Sequence, residues 1–192
     1  MALLLIFFAV SVIFSYAYLE AEYSILQQVP KVELHAHLHG SIRMGTLIEL
    51  SAAKGIPLNL GSELNLENCF QLFGVVHKIV SSIDIVERIL REVLDDYMEE
   101  NTIYLELRTT PRNLSDGTSV EKYVEVLVDL IRKHNIQYGD KMLVKLILSI
   151  DRSSRFHDAV RVSELAGDFR FLSNTTEHPI KTIVGLDFSG NP

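Results

Sequence analysis

Within one short stretch, Glu33, His35, His37 and His39 alternate with Val32, Leu34, Ala36 and Leu38. Strict alternation is the pattern of a half-buried β-strand, with the apolar set on one face and the polar set on the other. Residues two apart on a strand return to the same face after about 6.5–7 Å, so the imidazoles of His35 and His37 can lean toward one ion. Zinc–nitrogen bonds of about 2.0–2.1 Å suit such a pair. A His-x-His pair that ends a strand and opens into Gly40 therefore reads as half of a metal site. The competing reading is a surface strand that happens to be rich in histidine.

The surrounding elements must position that strand. Glu20 to Gln28 reads as a short amphipathic segment, broken by Val29-Pro30. After Gly40, Ser41 is the expected N-cap of a helix over Met44 to Lys54, which Gly55 and Pro57 end. Leu58 to Glu63 reads as loop. Leu66, Phe70, Phe73, His77 and Val80 then share one helical face. Ser82 is the expected cap of the next helix, which buries Ile83, Val86, Ile89, Leu90, Val93 and Tyr97. A second strand spans Thr102 to Thr110, closed by Pro111, and a helix runs from about Ser119 to His134. Met142 to Ile150 is an almost continuous apolar run, as in a parallel strand buried on both faces. A helix near Arg155 to Phe171 and a fourth strand over Thr182 to Phe188 complete the pattern, and Ser189-Gly190-Asn191-Pro192 follows. Strand and helix thus alternate in the manner of a parallel α/β architecture. In such a sheet the chemistry sits at the carboxyl ends of the strands. Here those ends carry His37 to His39, Thr109 to Arg112, Asp151-Arg152 and Ser189-Gly190.

With 192 residues and 47% hydrophobic content, the chain can bury one ordinary core and is not a disordered polymer. Its net charge of −7, from 25 acidic and 18 basic side chains, argues against a general nucleic-acid binder. Cys69 is the single cysteine, so an internal disulfide framework and a Cys-rich zinc cluster are excluded. A metal would have to rest on His and carboxylate ligands. Residues 1–23 form an apolar leader, uncharged from Met1 to Leu19. Its length and composition fit a signal-peptide core or a short membrane anchor, although no Lys or Arg precedes it. A non-native extension fits as well.

Lys31 to Ser41, with the run Glu33-Leu34-His35-Ala36-His37-Leu38-His39-Gly40, resembles the opening metal motif of the adenosine/AMP deaminase family. Tyr104 to Arg112 and Val184 to Gly190 resemble its second-strand and fourth-strand signatures. The Thr109-Thr110-Pro111-Arg112 ending is similar to the adenosine deaminase-like branch, the N6-methyl-AMP deaminases. The resemblance runs from Val29 to Pro192, in the family's order. It implies a partial (β/α)8 TIM barrel of the metallo-dependent hydrolase type, about the first four β/α units, with Zn2+ as cofactor. The implied activity is hydrolytic deamination of a purine nucleotide, N6-methyl-AMP to IMP and methylamine in preference to adenosine. In that chemistry zinc lowers the pKa of its water to about 7. A carboxylic acid protonates the ring nitrogen while a second carboxylate orients the water. The resemblance implies a cytoplasmic protein, whereas the leader points to secretion or a membrane anchor.

Carried over position by position, the resemblance makes His35 and His37 metal ligands, with His37 also near substrate. His39 stands where the family usually has Asp or Asn toward the ribose or phosphate, and a protonated imidazole there would suit a phosphate. His77 matches a substrate-contacting histidine, although the face it shares with Phe73 and Val80 reads by itself as core. Thr109, Thr110, Pro111 and Arg112 match a loop along the sugar-phosphate, with the Arg112 fork suited to two oxygens. Asp151 matches a substrate contact, or else a helix N-cap. Gly190 matches a glycine whose amide approaches the purine. Glu106 and Arg108 are expected to pair inside the barrel, and Asp187 to support its strand end. His134, His157 and His178 are assigned to solvent.

The family's third zinc histidine, general-acid Glu, second catalytic histidine and zinc-binding Asp come from later strands, and no motif here resembles them. The general-acid Glu is expected beyond Pro192, so no catalytic residue is assigned within this chain. The expectation is a truncated form, inactive alone, with open sheet edges that invite pairing with another copy. The alternatives are a non-catalytic half-barrel that binds or interacts, a deaminase of the nucleoside, or another metal-dependent amidohydrolase.

Overall fold

The computed structural model of the chain describes residues 25–58, 66–172 and 181–190. The apolar leader, most of the loop after Leu58, His178, and the last two residues, Asn191 and Pro192, lie outside the described residues. The strands are β1 (Lys31–His37), β2 (Thr102–Thr109), β3 (Leu143–Asp151) and β4 (Ile183–Ser189). The helices are α1 (Met44–Lys54), α2 (Leu66–Ile79), α3 (Ile83–Glu99), α4 (Val120–Tyr138) and α5 (Phe156–Leu172). Strand order in the sheet is β1-β2-β3-β4, and each neighbouring pair is parallel. Parallel neighbours require crossovers, and here helices supply each one. All four carboxyl ends consequently lie on one side of the sheet.

The core fills the space between sheet and helices. Leu105 and Leu107 of β2, with Leu146 and Leu148 of β3, are fully buried together with Leu90, Val124, Leu127 and Ile131. Neighbouring strands that bury alternate leucines at matched register cannot slip by one residue without turning those side chains outward. The two outer strands differ. Val32 and Leu34 are 57% and 53% exposed, while Ala36 and Leu38 are buried. The apolar face expected of β1 is thus covered only over its second half, because β1 is an edge strand with no described helix packed over its beginning. On the opposite edge, Val184, Leu186 and Phe188 of β4 are exposed too.

Several helix boundaries depart from the expected caps. A 3-10 turn over Leu38–Gly40 uses up the chain after β1, so Arg43 holds the N-cap position of α1. Ser41 instead donates its hydroxyl to the His37 carbonyl at 2.9 Å. Gly55 ends α1 in the left-handed region at φ +62, as anticipated. Ser82 occupies the N-cap position of α3 without a side-chain capping bond. The Ile83 amide donates to Asp116 Oδ2 at 2.7 Å, so the loop after β2 caps this helix from a distance.

Helix α4 runs past His134 to Tyr138. Asn135 explains the extra turn, since its side chain donates to the Val144 carbonyl and accepts from the Val144 amide, both at 2.9 Å. That clamp ties the end of α4 to the start of β3 and draws His134 inward. His134 is 8% exposed, which corrects the expectation that it faces solvent. Its ring lies 5.3 Å from that of Tyr138. His157 is exposed, as anticipated. Among the described residues, no helix is long and apolar enough to cross a membrane.

Candidate metal and nucleotide site

A cavity of about 340 Å³ opens at the carboxyl ends of the strands. Its walls include His35 and His37 from β1, His39 from the turn that follows, and His77 from α2. Arg108, Thr109 and Thr110 enter from β2, and Asp151 and Gly190 from the ends of β3 and β4. These come from positions far apart in sequence, and the parallel topology alone brings them together.

The His35 and His37 ring centres are 5.3 Å apart, with planes inclined by 50°. Two imidazoles on one tetrahedral ion would place their ring centres about 5 Å apart, given metal–nitrogen bonds of about 2.0–2.1 Å. The spacing therefore fits a shared ion. Partial burial, then the nearby His35 and Arg108, lower the pKa of His37, opposed by Asp187. That shift favours the neutral imidazole that a metal needs. Among the described residues, no group of three or more His, Cys, Asp or Glu side chains could hold a metal ion. His35 and His37 thus fit zinc in type and spacing, and fall short of the usual three or four protein ligands.

Among the described residues, the carboxylates lining this cavity are Asp151 and Asp187. Asp187 Oδ2 accepts from Arg108, and Asp151 Oδ1 accepts from the amide and hydroxyl of Ser153.

Arg108 does not pair with Glu106, contrary to the sequence expectation. Glu106 accepts from the Tyr104 hydroxyl at 2.8 Å. Arg108 donates to Asp187 Oδ2 at 3.1 Å and to the Leu34 carbonyl at 2.8 Å. Ser149 on the intervening strand also donates to Asp187 Oδ2, at 3.2 Å. The Arg108 fork thereby links β1 to β4 beneath the cavity and holds the backbone next to His35. The reading of Asp187 as a support for its strand end agrees with this placement. A guanidinium on a strand reaches equally toward its own face and toward the next strands, and only sheet order decides which carboxylate it meets.

Gly190 has φ +103, and a Cβ there would stand 2.9 Å from Asp151 Oδ1. Asp151 is not a helix N-cap, since α5 begins only at Phe156. Its Oδ1 accepts from the Ser153 amide at 2.7 Å and the Ser153 hydroxyl at 2.6 Å, closing a local turn. His77 lies beside the cavity, where partial burial and the Arg112 charge lower its pKa while Asp151 opposes them. The Thr109 hydroxyl lies 2.7 Å from the Tyr123 hydroxyl, inside the core. Pro111 is buried. Neither Pro111 nor Arg112 is among the cavity-lining residues.

Arg112 sits behind His39 instead. Its Nη1 is 3.3 Å from His39 Nδ1, and its Nη2 donates to the Val80 carbonyl at 3.0 Å. Burial first, then the neighbouring Arg112, His77 and His37, push the pKa of His39 well below that of a free imidazole. Burial there works against the cationic form that would suit a phosphate. Phe73 and Phe188 also line the cavity. Neither was singled out in the sequence. Phe188 belongs to a strand and Phe73 to a helix face, patterns that read simply as core.

The fold and the site together define the class: four consecutive β/α units of an eight-stranded barrel, with polar chemistry gathered at the strand ends. Comparison with known proteins agrees. The adenosine deaminase family model matches residues 30–191, and the chain belongs to that family. It is 36% identical over 198 residues to the N6-mAMP deaminase of Arabidopsis thaliana, covering 87% of this chain and 53% of the relative. The crystal structure of Arabidopsis ADAL complexed with IMP superposes with a TM-score of 0.73 at 36% identity, covering 87% of this chain and 51% of that one. An amidohydrolase from Burkhoderia ambifaria, with bound Zn, shares the fold with a TM-score of 0.63 at 20% identity, covering 86% of this chain and 45% of that one. The chain spans about half the length of the curated relatives it matches.

Proposed function

We propose that this chain carries the amino-terminal half of the active site of a zinc-dependent purine-nucleotide deaminase, with N6-methyl-AMP as the favoured substrate. The observation that carries this reading is the convergence of the His35–His37 pair, Asp151 and Gly190 on one cavity at the strand ends. A relative named N6-mAMP deaminase and a related structure complexed with IMP support the choice of substrate. His35 and His37 would hold the metal as neutral imidazoles. A zinc ion supplies Lewis acidity that brings the pKa of water toward about 7. In the net reaction, water supplies the oxygen at C6, one of its protons goes to the ring nitrogen and the other to the amine, and methylamine leaves as the C6–N bond breaks.

The chain's own residues bind and orient. Arg108, tied to Asp187 and to the Leu34 carbonyl, keeps the β1 strand end in register beneath the cavity. The bare α-carbon of Gly190 lets the chain after β4 pass close to Asp151, where a Cβ would stand 2.9 Å from Oδ1. Thr110, His39 and His77 line the remaining wall and offer polar groups to the sugar-phosphate. Titration calorimetry of the zinc-loaded chain with IMP, N6-methyl-AMP and inosine tests the binding part, and release of methylamine tests turnover. Tighter binding of the nucleotides than of inosine is the expected result. Absence of binding by IMP and N6-methyl-AMP at millimolar concentration would sink the proposal.

A second reading rests on the two exposed edges. Val32 and Leu34 on β1, with Val184, Leu186 and Phe188 on β4, leave apolar side chains and strand edges uncovered among the described residues. Such edges favour self-association or pairing with a complementary barrel half. Sedimentation of the chain across a concentration series separates this from a monomeric binding unit.

A further inference from the structure

We propose that two copies of this chain pair head to tail through the free edges of β1 and β4, closing one eight-stranded barrel in which His35 and His37 of both copies share a zinc site. The sheet order leaves β1 bonded only to β2 and β4 only to β3. Each of these outer strands has seven residues, a length of about 23 Å. All neighbouring strands are parallel, so β4 of one copy can lie parallel to β1 of the other without reversing either sheet. A free strand edge carries unpaired amides and carbonyls and is a template for a further strand. Glu33 Oε1 accepts from the His35 amide at 2.6 Å, so that amide is not one of the free donors. Exposed apolar side chains flank the same two edges: Val32 and Leu34 on β1, with Val184, Leu186 and Phe188 on β4.

A second copy fits these edges better than a foreign strand. One added strand covers one edge and presents a new one. A second copy offers a β4 edge to β1 and a β1 edge to β4, and so covers both. Head-to-tail contacts form a ring when the rotation between copies closes. Four β/α units are half of an eight-stranded barrel, so half a turn closes this ring, and full closure removes strand edges altogether. The metal gives an independent reason. Among the described residues no third side chain joins His35 and His37 as a ligand, whereas zinc ordinarily takes three or four. Both histidines line the cavity at the carboxyl ends of the strands. A two-fold axis along the barrel sets both pairs at the same end of one lumen. The second copy thus supplies the third and fourth imidazoles.

The shared site rests on the zinc reading of His35 and His37 above, and its test needs no nucleotide. Sedimentation equilibrium of the full chain, metal-free and with zinc, counts the copies, and plasma emission spectrometry gives the zinc content. The expected particle holds two copies and one zinc, and zinc should lower its dissociation constant at least about tenfold. Val32→Lys/Leu34→Lys and Val184→Glu/Leu186→Glu, all on exposed side chains, should each raise that constant at least about tenfold. All four substitutions in one chain should restore pairing, because each junction then sets lysines against glutamates. His35→Gln/His37→Gln should abolish the effect of zinc and leave metal-free pairing intact. A chain that stays single at about 100 μM with zinc, growth past two copies, or no rescue in the folded fourfold variant would overturn the pairing. Zinc at one per chain on single copies would overturn the shared site. A pair that takes up no zinc would overturn the shared site and the zinc reading together, whereas zinc-loaded single copies that bind IMP would overturn the pairing and leave that reading standing.

Discussion

Removing the Arg108–Asp187 pair should destabilise the chain through one identifiable coupling. The two side chains are 11% and 23% exposed and 3.1 Å apart. At an effective dielectric of about 20, that separation corresponds to roughly 5 kcal/mol of attraction. Desolvation of both groups cancels part of it. Arg108→Met leaves Asp187 with only the Ser149 hydroxyl and also removes the donor to the Leu34 carbonyl. We expect a loss of about 3 kcal/mol for Arg108→Met and about 2 kcal/mol for Asp187→Asn, since breaking one side of a buried pair strands the other. The Leu34 bond is lost in both arginine variants, so a double-mutant cycle with Arg108→Met/Asp187→Asn isolates the pair. Urea unfolding followed by circular dichroism provides the four stabilities. The expected coupling is about 2 kcal/mol, and a value below about 0.5 kcal/mol would refute the claim that this pair ties the sheet together. Arg108→Met should also weaken the zinc binding proposed for His35 and His37, because the carbonyl of Leu34 that Arg108 anchors precedes the first ligand.

Asn135→Ala should cost about 2–4 kcal/mol in urea unfolding, because it strands both the amide and the carbonyl of buried Val144. Gly190→Ala should cost about 1 kcal/mol or more, given its φ of +103 and the approach to Asp151 Oδ1. The same variant should weaken IMP binding in calorimetry. Burial lowers the pKa of His134 below 6.5, with the Met142 backbone and Asp95 opposing. Its neutral form is therefore favoured in the fold, and its contribution to stability is present above pH 6.5 and is lost as pH falls toward the folded pKa. His134→Leu should accordingly show a smaller drop in Tm than the parent chain between about pH 7.5 and 5.5. An equal drop in both would show that this histidine is not the cause.

Much of the frame was legible from residue order. Helix α1 begins and ends where Met44, Lys54 and Gly55 placed it, and the strands lie within about two residues of their periodic runs. These features depend on neighbours close in sequence: side-chain alternation, capping geometry and the left-handed turn that glycine allows. Errors arose where a distant group supplied the partner. Asp116 replaces Ser82 as the cap of α3, and the Asn135 clamp buries a histidine that local pattern assigned to solvent.

The site divides in the same way. Sequence alone determined that His35 and His37 share a strand face and that Thr109, Asp151 and Gly190 end later strands, because backbone period and chain order suffice for both. Only the tertiary structure decided that Arg108 bonds Asp187 rather than Glu106, and that Arg112 stands behind His39 instead of facing the cavity. Those partners are 79 and 73 residues apart. A guanidinium can serve any acceptor within reach, so its choice is made by the order of strands in the sheet and by which atoms burial leaves without water.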